Sequence, residues 1–385
     1  MNLITTNLSR VFLLCILFFF LPYWSVSQRW EHYYGLVNRG EYPYDIIETY
    51  DKGYLICGGF NDLGTWLIKT DINGNVLWQK TAIADVPSTS FAMIQTSDTG
   101  YIIAGGIAGA WGFYDPMIAK LNACGEREWC RTFPGYFRAY DSWTHDIIET
   151  DAKDLVFIAN DYGNIGKNPL FLIKLDSLGE TKWKMPILTI WAHPTSIQPI
   201  AHNLIETPDL GYLITGHCYW AHPWDTTGEI KYIRFTSIKV NENGYEEWVY
   251  PFGLQDTILS GGNSSIILNE NTFLGIGAYF TGSYPVYPLF INYNKFGNEV
   301  GYNILNPNKV DTLFITGNFT QVIQKDTVFI CSGLFITSDE VIYISEAIID
   351  TTILNSPLQV FNHVLHPNSR DPFILIETSD YKILN

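Results

Sequence analysis

One short sentence is written again and again along this chain, and that repetition limits the fold more than any other feature. Asp45 to Lys80 reads DIIETYDKGYLICGGFNDLGTWLIKTDINGNVLWQK, and Ser90 opens a second version, SFAMIQTSDTGYIIAGG. Aligned on the threonine of IET, the copies fall at Thr49, Thr96, Thr150 and Thr207, with degenerate places at Leu268, Gln324 and Thr378. The intervals are 47, 54, 57, 61, 56 and 54 residues. Periods of this size mark a repeat architecture, in which each unit buries its apolar faces only against its neighbours.

The units read as strands. GYLICGG at Gly53 returns as GYIIAGG at Gly100, LVFIAN at Leu155, GYLITG at Gly211, TFLGIG at Thr272 and VFICSG at Val328. A second run follows each, as TWLIKTD at Thr65, PMIAKLN at Pro116, LFLIKLD at Leu170, FTSIKVN at Phe235 and PLFINYN at Pro288. These runs are short, rich in β-branched and aromatic residues and bounded by Gly, Asn, Asp and Pro, and no helical periodicity persists. In Asp71-Ile72-Asn73-Gly74-Asn75, Asn-Gly predicts a tight hairpin with positive φ angles. Gly125, Gly179, Gly244 and Gly297 occupy the same place later, and Trp78, Trp129, Trp183 and Trp248 each follow a turn glycine by four residues. Each unit is thus four strands, a (DIIET), b (GYLICGG), c (TWLIKTD) and d (NVLWQK).

Several central strands are apolar on both faces, so both faces must be covered. Sheets stacked face to face around an axis meet that demand, which predicts an all-β β-propeller of four-stranded antiparallel blades. The recurrent tryptophans are then structural, packing one blade on the next. About seven blades are expected: six complete, and one closed by both termini. In that blade QRWEHYYG from Gln28 supplies strand d, and FILIET from Phe373 with YKILN supplies strands a and b.

The b-strand and LIKxDxxGxxxW patterns resemble the repeat propellers of secreted Bacteroidetes proteins, which are similar to PQQ-like and delta-60-like repeats. The resemblance covers nearly all of residues 28–385 and implies an extracellular propeller. Many such proteins continue into a sorting domain for type IX secretion; this chain stops at ETSDYKILN inside a seventh repeat, so anchoring by that route is not expected.

The N-terminus agrees with export. Arg10 precedes the apolar run VFLLCILFFFLPYW, Val11 to Trp24, and Ser25 and Ser27 place small residues before a cut at Gln28. Residues 1–27 are read as a signal peptide and 28–385 as the propeller domain, the run being shorter than the about 20 residues of a membrane span. An uncleaved anchor is the runner-up. The expected location is secreted or at the cell surface, with no membrane span in the mature chain. A net charge of -16 repels phosphate backbones, so nucleic acid is excluded as a partner. Of the cysteines, Cys124 and Cys130 in NACGEREWC are the candidate disulfide, because the turn at Cys124-Gly125 can fold one back toward the other.

Catalytic signatures are missing. There is no GxSxG elbow, HExxH, P-loop or dinucleotide fingerprint, no adjacent cysteine pair as in PQQ-dependent dehydrogenases, and DINGN lacks the closing ligands of a calcium loop. No metal and no cofactor is expected. One region stands apart: WAHPT at Trp191 and HCYWAHPWD at His217 put four of the eight histidines within a short span. The ligand-binding candidates are Trp191, His193, His202, His217, Trp220, His222, Trp224 and Asp225, read as residues of aromatic, proline-stiffened loops. Zinc binding or acid–base work by these imidazoles with Cys218 and Asp225 is the rival, but the spacing matches no standard ligand set. Trp220, placed on a loop, should be replaceable without loss of stability. The expected function is a monomeric binding or interaction module for an extracellular protein or glycan, without a catalytic site. The alternative is an extracellular carbohydrate-active hydrolase or lyase working at the axial face.

Overall fold

The computed structural model describes residues 30–35, 41–60, 64–83, 86–109, 112–133, 141–161, 170–187, 196–221, 231–253, 259–280 and 286–304. Beyond these it describes the strand segments 314–315, 321–325, 328–336, 341–350, 359–365 and 373–376. The expected signal peptide therefore lies outside the described residues. Among them every strand pairing is antiparallel and there is no helix, hence none able to cross a membrane.

The repeat folds as the sequence pattern predicts. In sheet one, Glu41–Glu48, Tyr54–Phe60, Gly64–Thr70 and Val76–Ile83 lie side by side in chain order. Sheets two to five repeat this arrangement, opening with Ser88–Gln95, Ser142–Glu149, Ser196–Glu206 and Leu259–Asn269. A sixth sheet, built around Val328–Ile336, has five strands. The first strands of sheets one to five lie against one another, so they form the inner edge of a propeller-like stack. At the two ends of the described chain, Trp30–Tyr33 pairs with Phe373–Ile376, and Trp30 stands opposite Ile376.

Alternation along the central strands explains why they are apolar throughout. Leu55 and Cys57 face sheet two, where they meet Met93, Tyr101 and Ile103, whereas Ile56 between them joins a cluster on the opposite face. The same division recurs between sheets two and three, three and four, and four and five. Each fully buried aliphatic side chain of this kind stabilises by about 1.5–3 kcal/mol.

The repeated sentence itself encodes a turn and its lock. Thr49 Oγ1 donates to Asp51 Oδ1, which also accepts the Gly53 N–H at 3.2 Å, and buried Lys69 reaches Asp51 at 2.9 Å. Lys120 with Asp98 and Lys239 with Asp209 repeat the pair at 2.6 and 2.9 Å. Burial of an ammonium group is tolerated because a carboxylate and backbone oxygens answer it.

The c–d turns differ from the expected form. Only Gly74 takes a positive φ, 78°, while Asn73 does not. The Gly74 N–H donates to the Asp71 carbonyl, and the register slips between Lys69 and Thr70, giving a type I turn followed by a glycine bulge. Asp71 Oδ1 accepts the N–H groups of Asn73 and Asn75, both at 2.8 Å, so its carboxylate organises the turn.

The recurrent tryptophans lie at the outer edge, half-exposed, against the turn glycines of the next sheet. A Cβ on Gly125 would lie 2.7 Å from the Trp78 ring of the preceding sheet. Trp129, Trp183 and Trp248 press on Gly179, Gly244 and Gly297 in the same way. Ahead of the first sheet, the Tyr34 hydroxyl donates to the Gly74 carbonyl at 2.7 Å.

Cys124 and Cys130 are both free thiols, contrary to the expected bridge. Cys124 is exposed in the turn, where its N–H is held by Asn122 Oδ1 at 3.0 Å. Cys130 lies on the outer strand Arg127–Thr132, packed against the core between sheets one and two, so the hairpin directs the two apart.

Candidate functional site

Each inner strand carries an irregularity at the same place. The register breaks between Pro43 and Asp45, Ser90 and Ala92, Thr144 and Asp146, Ala201 and Asn203, and Gly262 and Ser264. The extra residues are Tyr44, Phe91, His145, His202 and Asn263. A β-bulge re-aims its residue out of the regular alternation. Here it brings the rings of successive sheets together: Tyr44 meets Phe91 at 4.7 Å between centroids, Phe91 meets His145 at 5.5 Å, and His145 meets His202 at 5.9 Å. Trp143 stacks on Phe91 at 4.9 Å and touches Tyr114.

A bulge also leaves backbone donors without a ladder partner, and the residue following it supplies the acceptor. Asp45 Oδ2 accepts the Met93 N–H of the next sheet at 2.8 Å. Asp146 Oδ2 accepts that of Leu204 at 2.7 Å, and Asn203 Oδ1 accepts that of Ser265 at 2.9 Å. Sheet two has Ala92 at this position, and the corresponding N–H of sheet three, on Ile147, is taken by Asp146 Oδ1 at 2.8 Å. Side chains that follow the bulges thus stitch sheet one to two, three to four and four to five.

Burial pushes the Asp45 carboxyl up to about 7, reinforced by the charge of Asp146 and opposed by the N–H groups of Met93 and Ile46. Asp146 is likewise raised by burial to about 7, against the pull of its Leu204, Ile147 and Asn203 hydrogen bonds. A carboxyl group with a folded pKa above its ordinary 3.8 contributes stability that is complete below about pH 4 and lost as pH rises through about 7. Asp45→Asn removes that loss, and Asn203 shows that an amide can do the stitching. The variant should therefore gain on the wild type, in melting temperature, from about pH 5 to about pH 8. A difference that stays flat across this window would contradict a buried charge at Asp45.

The histidines form the other half of the site. His202 Nε2 and His217 Nδ1 lie 3.2 Å apart, with ring centroids at 5.1 Å. Burial lowers His217 to about 4; burial and then the neighbouring imidazoles lower His145 to about 4 and His202 to about 3. All three rings are therefore neutral at pH 7, and in the His202–His217 pair the N–H of one ring donates to the bare nitrogen of the other. Such an arrangement can accept a hydrogen bond or offer a lone pair to a Lewis acid.

Of the candidates read from sequence, His202 and His217 come together. Trp220 does not join them: it belongs to the strand Tyr212–Ala221, is 5% exposed, and packs in the core between sheets three and four. Cys218 faces the same core, on the side of the strand opposite His217. Trp191, His193, His222, Trp224 and Asp225 lie outside the described residues. The sequence reading missed Tyr44, Phe91, Trp143, His145, Asp45 and Asp146. A signal existed: Tyr44, Phe91, His145 and His202 are each the fifth residue before the aligned threonine.

No protein-family model matches the chain, and no curated protein does. Solved structures are similar in fold. One is a polysaccharide lyase of family PL25, an ulvan lyase, with a TM-score of 0.56, 10% identity and 84% of each chain covered. Another is a mutant of the Synechocystis apocarotenoid oxygenase, with a TM-score of 0.53, 12% identity, and 86% of this chain and 74% of that chain covered. At these identities the likeness is one of fold: this chain shares an all-β stack of antiparallel sheets with both, while its inner-edge residues stand on their own geometry.

Proposed function

We propose that this chain is a secreted, seven-bladed β-propeller that binds a ligand of sugar-ring size at its axial mouth, as an extracellular binding module. The observation that carries the reading is the run of bulge-borne rings, Tyr44, Phe91, His145 and His202, in contact across four successive sheets. Tyr44 is 45% exposed, and the Trp143 indole N–H lacks a protein partner among the described residues. An aromatic floor edged by hydrogen-bonding groups suits a sugar ring, which presents an apolar face and a polar rim. A thermal-shift screen of the purified protein against glycans and small metabolites tests this. A hit at about 100 times its Kd stabilises by about 2.7 kcal/mol. The shift should vanish in Trp143→Ala and Tyr44→Ala; a shift that survives in both places the ligand elsewhere.

Ring closure belongs to the same reading. The pairing of Trp30–Tyr33 with Phe373–Ile376 and the Tyr34 contact with the first sheet support a seventh blade completed from both ends. Spin labels at Glu31 and Leu375 should sit at neighbouring-strand separation by electron resonance; a broad, long distance would refute closure.

A second reading, a carbohydrate-active hydrolase or lyase, is favoured by the neutral imidazole pair beside the aromatic floor. It requires that glycans which bind also be cleaved, with loss of cleavage in His217→Ala. Binding without new chain ends leaves the binding module as the function.

A further inference from the structure

We propose that His202, His217 and His145 form a site for a divalent transition-metal ion at the inner edge of sheets three and four. This goes beyond the ligand-binding reading and contradicts the expectation of no metal. The three imidazoles come from different strands: Ser142–Glu149, Ser196–Glu206 and Tyr212–Ala221. Two of them are bulge residues, so their placement follows from the repeat.

The spacing of the first pair fits a shared ion. At a zinc–imidazole bond of about 2.05 Å, two nitrogens 3.2 Å apart subtend about 100° at the metal, close to the tetrahedral value. His145 stands edge-on to His202, with ring centroids 5.9 Å apart and planes at 83°. Among the described residues no three such side chains already surround one point, so binding begins on His202 and His217 and draws in His145. Imidazole donors select the zinc, nickel and copper class over calcium or magnesium. Phe91 stacks on His145 and Trp143 stacks on Phe91, so the aromatic floor adjoins the histidines.

The sequence conceals this set because His145 lies one full repeat before His202, beyond the span of any single loop. Metal-free protein, prepared with EDTA and exchanged into clean buffer, is titrated with Zn2+ by calorimetry and with Co2+ by visible absorption. One ion per chain is expected, with d–d bands from a nitrogen-rich site. His217→Ala should abolish binding and His145→Ala should weaken it by about tenfold or more. Cys124→Ser, which removes an exposed thiol in an outer turn, should still bind. His202→Gln serves as the second ligand variant should His217→Ala fail to fold, as judged by circular dichroism. No Zn2+ or Co2+ binding by the wild type, or binding undiminished in the folded histidine variants, overturns the site. Neither result bears on glycan binding, which the Trp143 and Tyr44 variants test separately.

Discussion

Trp220→Ala should destabilise the protein by about 3–5 kcal/mol, the range for truncating a large buried aromatic. The sequence alone pointed the other way, placing Trp220 on a loop. In the structure the ring fills the core between sheets three and four with Val156, Leu172 and Ile214, and its indole N–H donates to Thr236 Oγ1 at 3.0 Å. Deleting it leaves a cavity between two sheets that cannot close without moving either backbone. Denaturant unfolding should show a lower midpoint with an unchanged slope. A loss below about 1 kcal/mol would mean that the ring is not the inter-sheet filler described, since exposed substitutions fall within that range.

Gly125→Ala should cost about 2–4 kcal/mol from two separable causes. The backbone at Gly125 has φ 77°, where a Cβ is strained, and that Cβ would also lie 2.7 Å from the Trp78 ring of the preceding sheet. Gly112 isolates the first cause: its φ is 80°, but a Cβ there meets nothing within 4 Å. Gly112→Ala should therefore lose only about 1 kcal/mol. In the double variant with Trp78→Ala the overlap disappears and the strain stays, so the two losses should add to more than the double variant shows. Simple additivity would place Trp78 away from the turn. Lys80 reinforces the joint, donating to the Cys124 carbonyl at 2.7 Å beside the same ring.

The sequence by itself determined the repeat, the four-strand unit, the turn glycines and the place of the recurrent tryptophans within the repeat. These are local or periodic facts: alternation within a strand, a φ angle that only glycine takes easily, and one residue type returning at one interval. Even there, detail escaped. Asp71 organises its turn through its own carboxylate, and the Thr49-Asp51-Lys69 lock joins a turn to a strand that lies beside it only in the folded sheet.

The site was decided by tertiary structure. A β-bulge shifts one residue across the face of its strand, and whether a strand bulges depends on what its neighbours accept, here the Asp45, Asp146 and Asn203 side chains that take N–H groups from the next sheet. Proximity in sequence grouped His217 with Cys218, Trp220 and His222. The sheet instead sends Cys218 and Trp220 into a core and brings His217 to His202, with His145 arriving from the preceding repeat. Strand alternation separates sequence neighbours, and stacking of repeats joins residues a whole period apart.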